Sequence, residues 1–161
     1  MPNFKTKFYL NIIFLFSFIA IISAYFIEHI LGHQPCNLCI IERIPYALSI
    51  IFITIIFVFK KNVKFLILLL ILTFIFSLVI SFYHYGIEQG FFEESTVCAI
   101  KNASENMTTE DLLSELNKRT ISCRDVTFRI FGLSLTSINI VINLFFIITL
   151  LKIFNKYEKH K

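Results

Sequence analysis

The sequence predicts an all-α membrane protein: a four-transmembrane-helix bundle with a long outer loop that carries a short amphipathic helix. The first observation is composition. Of the 161 residues, 57% are hydrophobic and only 16% are charged, against about 25% charged in soluble domains. The mean hydropathy is +0.76. A soluble domain this small could not bury so much apolar surface in one core, and nothing in the composition points to a nucleic-acid partner.

The second observation is that four apolar runs are long enough to cross a bilayer. They cover 8–27, 38–59, 65–85 and 130–151. A hydrocarbon core of about 30 Å is crossed by about 20 helical residues, and backbone exposed to lipid must be helical. The first run is longer than the apolar core of a signal peptide, about 7–15 residues. We therefore expect one integral membrane domain over 1–161.

The third observation is the distribution of basic residues, which predicts the orientation. Lysines dominate the segment before the first run, the connection between the second and third runs, and the segment after the fourth. They are Lys5, Lys7, Lys60, Lys61, Lys64, Lys152, Lys156, Lys159 and Lys161. The positive-inside rule places these segments, and both termini, in the cytoplasm. The connections at 28–37 and 86–129 then face outward, with all four cysteines at or near that side, where disulfides persist.

The stretch from 34 to 43 concentrates the chemistry. Pro35 suits the first turn of a helix, which places Cys36 and Cys39 in the opening turns of the second span. Free amide groups and the helix dipole there favour a thiolate. Arg43 lies one turn beyond Cys39 on the same face. A charge at membrane depth is costly and indicates function.

Two further features have structural consequences. Pro45 removes a hydrogen bond to the carbonyl of Ile41 and predicts a kink in the second span. In the outer loop, 108–111 has a hydroxyl cap followed by acids, as at a helix start. The leucines that follow lie on one face. This amphipathic helix would lie either on the bilayer surface or over the mouth of the bundle.

The four cysteines allow three interpretations. A structural zinc site needs four ligands, usually in paired knuckles; Cys98 and Cys123 are not in such knuckles, so we predict no metal, although His29, His33 and His84 could contribute. Two structural disulfides would staple the outer loop. The redox interpretation explains more, because a loop pair could pass electrons by thiol–disulfide exchange to the pair at the membrane. Arg43 could then stabilise a thiolate and hold a carbonyl oxygen of a lipid-soluble quinone.

Other polar residues have simpler expectations. Glu42 is expected to be the salt-bridge or interface neighbour of Arg43, with proton handling as the alternative. His84 is expected to contact the quinone headgroup or pass a proton, or else only to cap the third span at the interface. Glu88, Glu93 and Glu94 are expected to form a solvated acidic face, and His29 and His33 to lie at the membrane interface. Asn139 and Asn143, four positions apart, are expected to make interhelical hydrogen bonds.

The segment Pro-Cys-x-x-Cys-x-x-Glu-Arg from Pro35 to Arg43 resembles the signature of the DsbB family of membrane disulfide-forming oxidoreductases. Tyr-His-Tyr-Gly-Ile-Glu at 83–88, followed by Cys98, resembles the exit of that family's third span. Cys123, with Phe-Gly-Leu-Ser at 131–134 and an asparagine at 139, resembles its fourth-span entry. The similarity extends over nearly the whole chain. The family often has a tryptophan near the fourth-span entry, and this chain has none.

The resemblance implies a site and a reaction. A DsbA-like periplasmic thioredoxin-fold protein would be reoxidised, and the electrons would pass to ubiquinone or menaquinone in the bacterial inner membrane. Cys98 would form the mixed disulfide with the partner, and Cys123 would be its mate. Cys36 and Cys39 would form the membrane pair, with Cys39 facing the quinone. Arg43, Glu42 and His84 are the candidate quinone-binding residues.

Two other functions stay open at this stage. A DsbI-like paralogue would serve one client oxidase through the same chemistry. A non-catalytic membrane assembly protein would use its disulfides only to staple the loop.

Overall fold

The computed structural model of the protein describes residues 4–59, 62–93, 123–124, 129–130 and 132–158. Within these ranges the helices are α1 (Phe4–His29), α2 (Asn37–Ile41), α3 (Arg43–Phe59), α4 (Val63–Glu88) and α5 (Leu135–Glu158). Two short strands, β1 (Arg129–Ile130) and β2 (Leu133–Ser134), pair antiparallel. Four helical segments are long and apolar enough to cross a membrane, with α2 and α3 together forming the second. The predicted four-helix membrane fold is confirmed.

The fourth span begins later than the sequence predicted. Residues 130–134 were expected to be helical, but Ile130 pairs with Leu133 in the small hairpin, and α5 starts at Leu135. Gly132 has a φ of 81°, a left-handed conformation that suits glycine and ends regular structure. The helix therefore starts only after the hairpin, although the hairpin residues are mostly apolar.

The second span is interrupted at Glu42, between α2 and α3. Pro45 is buried in the first turn of α3, where its missing N–H is tolerated. The carbonyl deprived of a partner is that of Ile41, the last residue of α2. The second span is thus broken at Glu42, next to the Ile41 carbonyl whose helical partner Pro45 cannot supply.

The core of the bundle is formed where the helices face one another, while lipid-facing positions carry exposed Phe, Ile and Leu. α4 packs most extensively on α5, and α1 packs on α3. Phe74 packs edge-on against Phe146 at a centroid distance of 5.1 Å. Asn143 Nδ2 donates to Ser77 Oγ at 3.0 Å, and the predicted interhelical hydrogen bonds of Asn139 and Asn143 are confirmed.

A second, smaller cluster lies at the cysteine end. It comprises buried Cys36, Leu38, Ile87 and Cys123. Several predictions fall outside the described residues: the amphipathic helix that begins at 108, Cys98, and the environment of Glu94.

Candidate functional site

The dithiol lies at the start of the second span, as predicted. Cys36 is the N-cap of α2, and its Sγ accepts a hydrogen bond from the Cys39 backbone N–H at 3.3 Å. The two Sγ atoms are 2.8 Å apart, and both cysteines are free thiols. Cys36 is buried, whereas Cys39 is partly exposed. The helix start therefore holds the two sulfurs in contact but in different surroundings.

The surroundings of Cys36 favour its thiolate. The hydrogen bond with the Cys39 thiol is the largest cause that lowers the pKa of Cys36, to about 4. Burial opposes this change, while the imidazole of His84, whose Nε2 is 3.6 Å from Cys36 Sγ, lowers the pKa further. Sequence reasoning assigned thiolate stabilisation to Arg43. The structure instead places Cys39 and His84 beside the low-pKa sulfur.

Behind the dithiol, His84 is held between two carboxylates. Its Nδ1 is 3.0 Å from Glu42 Oε1, and its Nε2 is 3.8 Å from Glu88 Oε1. Thr136 Oγ1 donates to Glu88 Oε1 at 2.6 Å. Glu88 is buried, so its expected place on a solvated acidic face was wrong; Glu93 is exposed as expected. Glu88 is buried because it lies four residues after His84, on the same face of α4, which faces the bundle.

Glu42 also anchors a polar network from α5. Asn139 Nδ2 donates to Glu42 Oε2 and to Ser81 Oγ, each at 2.9 Å. The Tyr46 hydroxyl donates to Asn139 Oδ1. Three spans thus meet at Glu42, which sits at the break between α2 and α3, where its side chain can point inward.

Arg43 belongs to a separate group of side chains. Its Nη1 donates to Glu28 Oε2 at 2.6 Å, and its guanidinium lies 5.2 Å from the centre of the Tyr25 ring. The salt bridge expected between Arg43 and Glu42 was wrong: among the described residues Arg43 pairs with Glu28 and Glu42 pairs with His84. Because α2 ends between Cys39 and Arg43, the guanidinium turns toward α1, and Glu42 turns toward α4 and α5.

A cavity of about 330 Å³ opens beside the dithiol, between α1, the second span and α5. Cys39, Glu42 and Arg43 line it, with small α1 residues such as Ala20 and Ala24 and apolar side chains of α5 opposite. Among the described residues, neither Cys36 nor His84 belongs to the lining. Of the three residues proposed from sequence to hold a quinone, Arg43 and Glu42 therefore face the cavity, while His84 lies behind Glu42.

Cys123 comes to the same end of the bundle. It is disulfide-bonded and buried in the small cluster with Cys36. Cys98 lies outside the described residues. The structure thus brings three of the four predicted catalytic cysteines to one end. Cys36 and Cys123 are buried in one cluster, and Cys39 packs at its edge and also lines the cavity.

Several residues of this end were not identified from the sequence. Glu28 closes α1, Tyr46 and Ser81 lie one or more turns inside their spans, and Thr136 opens α5. The sequence did offer a signal for these residues: each is an acid or a hydrogen-bonding side chain within or next to an apolar run. Such a group is costly in a membrane unless it has a partner. The partners themselves depend on helix rotation and could not be read from spacing.

Comparison with known proteins agrees with the motifs. The family described as "Disulfide bond formation protein DsbB" matches residues 6–153. An uncharacterized Rickettsia prowazekii (strain Madrid E) protein, RP370, is 30% identical over 145 residues, covering 88% of this chain and 84% of its own length. These matches span all four membrane helices and the dithiol described above. The chain therefore belongs to the DsbB family of membrane thiol oxidoreductases that act in disulfide formation.

Proposed function

We propose that this protein reoxidises a DsbA-like periplasmic thioredoxin-fold oxidase and passes the electrons to a membrane quinone. One observation carries the proposal: the two thiols face different neighbours. Both pack in the cluster that contains disulfide-bonded Cys123, where Cys36 is buried, but of the two only Cys39 also lines a cavity between the helices. A relay between a protein partner and a lipid-soluble acceptor needs this division of contacts.

The relay proceeds in two exchange steps that conserve electrons. The reduced partner attacks a disulfide between Cys98 and Cys123 and leaves oxidised, so that both loop cysteines become thiols. Cys123 then attacks a Cys36–Cys39 disulfide at Cys36, releasing Cys39 as the thiolate. Cys98 resolves that bond and restores the loop disulfide, leaving Cys36 and Cys39 reduced. Thiol exchange of this kind proceeds through thiolates.

The last step would transfer two electrons from Cys36 and Cys39 to the quinone and leave a disulfide. Of the two protons that the quinol needs, one would come from the Cys39 thiol and, because Cys36 is a thiolate, the other from solvent. Just before this step the relay requires Cys36 and Cys39 as free thiols and Cys123 in a disulfide. A thiolate at Cys36 is ready to attack Cys39 sulfur once that sulfur has reacted with the acceptor. The low pKa of Cys36 supports this order.

The cavity fits a quinone headgroup. Its volume of about 330 Å³ lies within the usual range of ligand sites, about 300–1,000 Å³. The walls are mainly apolar, and Arg43 brings a permanent positive charge to the lining, which also includes His33. A guanidinium can donate a charge-assisted hydrogen bond to a quinone oxygen. Ubiquinone and menaquinone both present such oxygens.

The orientation completes the proposal. The lysine distribution places both termini in the cytoplasm and the cysteine end toward the periplasm of a bacterial inner membrane. There a thioredoxin-fold oxidase is maintained oxidised by a partner protein and quinone. A DsbI-like specialisation for one client would keep the same site and differ only in the partner accepted.

The test is quinone reduction by the purified protein with a reduced thioredoxin-fold partner, followed by quinone absorbance. Cys39→Ser should abolish quinone reduction while still trapping the partner through Cys98 as a mixed disulfide. Thr54→Ala is the control. Thr54 is exposed on the span, and its hydroxyl donates to the backbone carbonyl of Ile50 in the same helix. The turnover of this variant should equal that of the wild type. Unchanged turnover in Cys39→Ser would refute the proposed relay through Cys39, and absence of turnover in the wild type would favour a non-catalytic role.

A further inference from the structure

We propose that the reduced site binds one thiophilic d¹⁰ divalent cation, Zn²⁺ or Cd²⁺, through Cys36, Cys39 and His84, and that this metal blocks the dithiol reversibly. The site is independent of the quinone proposal, since it needs only the reduced pair and the imidazole. The binding atoms of the three residues lie within 4.8 Å of one another. Zinc is held in proteins by this mixture of thiolate sulfur and imidazole nitrogen.

The distances suit a tetrahedral ion with one small adjustment. Bonds of about 2.3 Å to sulfur and 2.0–2.1 Å to nitrogen place the two ligand atoms about 3.6 Å apart. Cys36 Sγ and His84 Nε2 are 3.6 Å apart. Two sulfurs on one ion would be about 3.8 Å apart, whereas the thiols now lie 2.8 Å apart. Rotation of the Cys39 side chain, which borders the cavity, can provide this change.

The imidazole is already oriented as a ligand. His84 Nδ1 is 3.0 Å from Glu42 Oε1, which leaves Nε2 directed toward Cys36. Metal-binding histidines nearly always have a carboxylate or carbonyl on their other nitrogen, fixing the tautomer and the ring. This carboxylate–histidine pair is present before any ion binds, so little reorganisation is needed.

A second observation points to a cation at this place. Glu88 Oε1 is 3.8 Å from His84 Nε2, and Glu88 Oε2 is buried without a hydrogen-bond partner among the described residues. A buried carboxylate oxygen without a partner is costly. Arg43 is engaged by Glu28 on the other side of the second span. A divalent ion beside His84 would supply positive charge to this carboxylate and could take it as the fourth ligand.

The chemistry is exchange without electron transfer. Each ligand atom that carries a proton, whether a thiol sulfur or Nε2 of His84, gives that proton to solvent as its bond to the metal forms, and the metal keeps its oxidation state. The Cys36–Cys39 disulfide has no thiolate to offer, so the oxidised site should not bind. The occupied dithiol cannot form a disulfide until the ion leaves. Entry is available from the cavity, which Cys39 and Glu42 line.

The experiment titrates Cd²⁺ into the purified full-length protein that carries Cys98→Ser and Cys123→Ser, so that only the membrane pair can respond. Without partner or quinone, the cadmium–thiolate charge-transfer band should report one ion per reduced chain and none per oxidised chain. His84→Gln should weaken binding at least tenfold. His29→Gln is the control, because His29 stacks on Tyr25 outside the cluster. The Cd²⁺ affinity of this variant should equal that of the protein with His29 and His84 intact.

Two results would overturn the proposal: equal binding by oxidised and reduced protein, or equal affinities in His84→Gln and His29→Gln. If His84→Gln does not fold, X-ray absorption of Zn²⁺ bound to the wild-type reduced chain decides the question. Two sulfurs near 2.3 Å with imidazole nitrogen near 2.0–2.1 Å are expected; a shell without imidazole contradicts the site. Metal binding is read without turnover, so its failure would leave the quinone proposal untouched.

Discussion

Two groups of charged side chains flank the dithiol, and their surroundings differ. The Arg43–Glu28 pair lies at the cavity, with 19% and 25% of the side chains exposed. The Glu42–His84–Glu88 group lies behind the sulfurs, with His84 only 3% exposed. The partly exposed Arg43–Glu28 ion pair can separate to admit a ligand at little cost in free energy. The buried group cannot lose a member without leaving an unpaired charge.

This difference assigns separate tasks to residues that are neighbours in sequence. Glu42 and Arg43 are adjacent, yet one contacts His84 and the other contacts Glu28. The buried group should govern the state of Cys36 and the stability of the cysteine end. The exposed pair should govern binding in the cavity. The following substitutions test that separation.

The largest expected effect is on the Cys36 thiolate. Because the folded protein lowers its pKa to about 4, the thiolate should persist at neutral pH and be lost as the pH falls through about 4. Far-ultraviolet thiolate absorbance of the reduced Cys98→Ser/Cys123→Ser protein measures this transition. His84→Gln should move the transition toward the ordinary thiol range, and Arg43→Gln should leave it in place. A shift in Arg43→Gln alone would reverse the assignment.

The next effect is on stability. His84→Gln leaves Glu42 and Glu88 without their imidazole partner and should cost about 3–5 kcal/mol, as for other broken buried pairs. Thermal unfolding in one detergent, compared with wild type, provides the measurement. The Glu42→Gln/His84→Gln double variant should lose less than the sum of the single variants. Strict additivity would show that the two side chains do not act as a pair.

Arg43→Gln should act on the cavity. Loss of a hydrogen bond from a charged donor, about 1.5–3 kcal/mol, corresponds to a roughly 10–100-fold rise in the quinone KM. Steady-state kinetics with quinone and reduced partner varied separately should leave the partner KM unchanged. An increase confined to the partner KM would contradict the role proposed for the guanidinium.

The smallest effect is expected from Glu28→Gln. Glu28 competes with a quinone oxygen for Arg43, and partly exposed pairs contribute about 0.2–1 kcal/mol. The quinone KM should therefore fall by up to about fivefold. Glu93→Gln, at an exposed position outside the cavity lining, should have no effect. A rise in KM as large as that of Arg43→Gln would mean that Glu28 orients the guanidinium.

The sequence alone determined the membrane class, the four spans and the location of the dithiol at a helix start. Hydrophobic run length and motif spacing are local properties, and the bilayer imposes helices on such runs. The sequence also identified Asn139 and Asn143 as interhelical donors, because polar groups within a span require partners. The start of α5 was misplaced, since the positive φ of Gly132 and the hairpin it permits leave no signal in hydrophobicity.

Only the tertiary structure decided which charges meet. From spacing along the chain, we expected Arg43 to lie beside Glu42 and Glu88 to be in solvent. The break at Glu42 and the packing of α4 against α5 instead brought Glu42, His84 and Glu88 together and turned Arg43 toward α1. Rotation of each helix about its axis is set by long-range packing. Neighbouring residues therefore acquired different partners, and Cys36 and Cys39 acquired different surroundings.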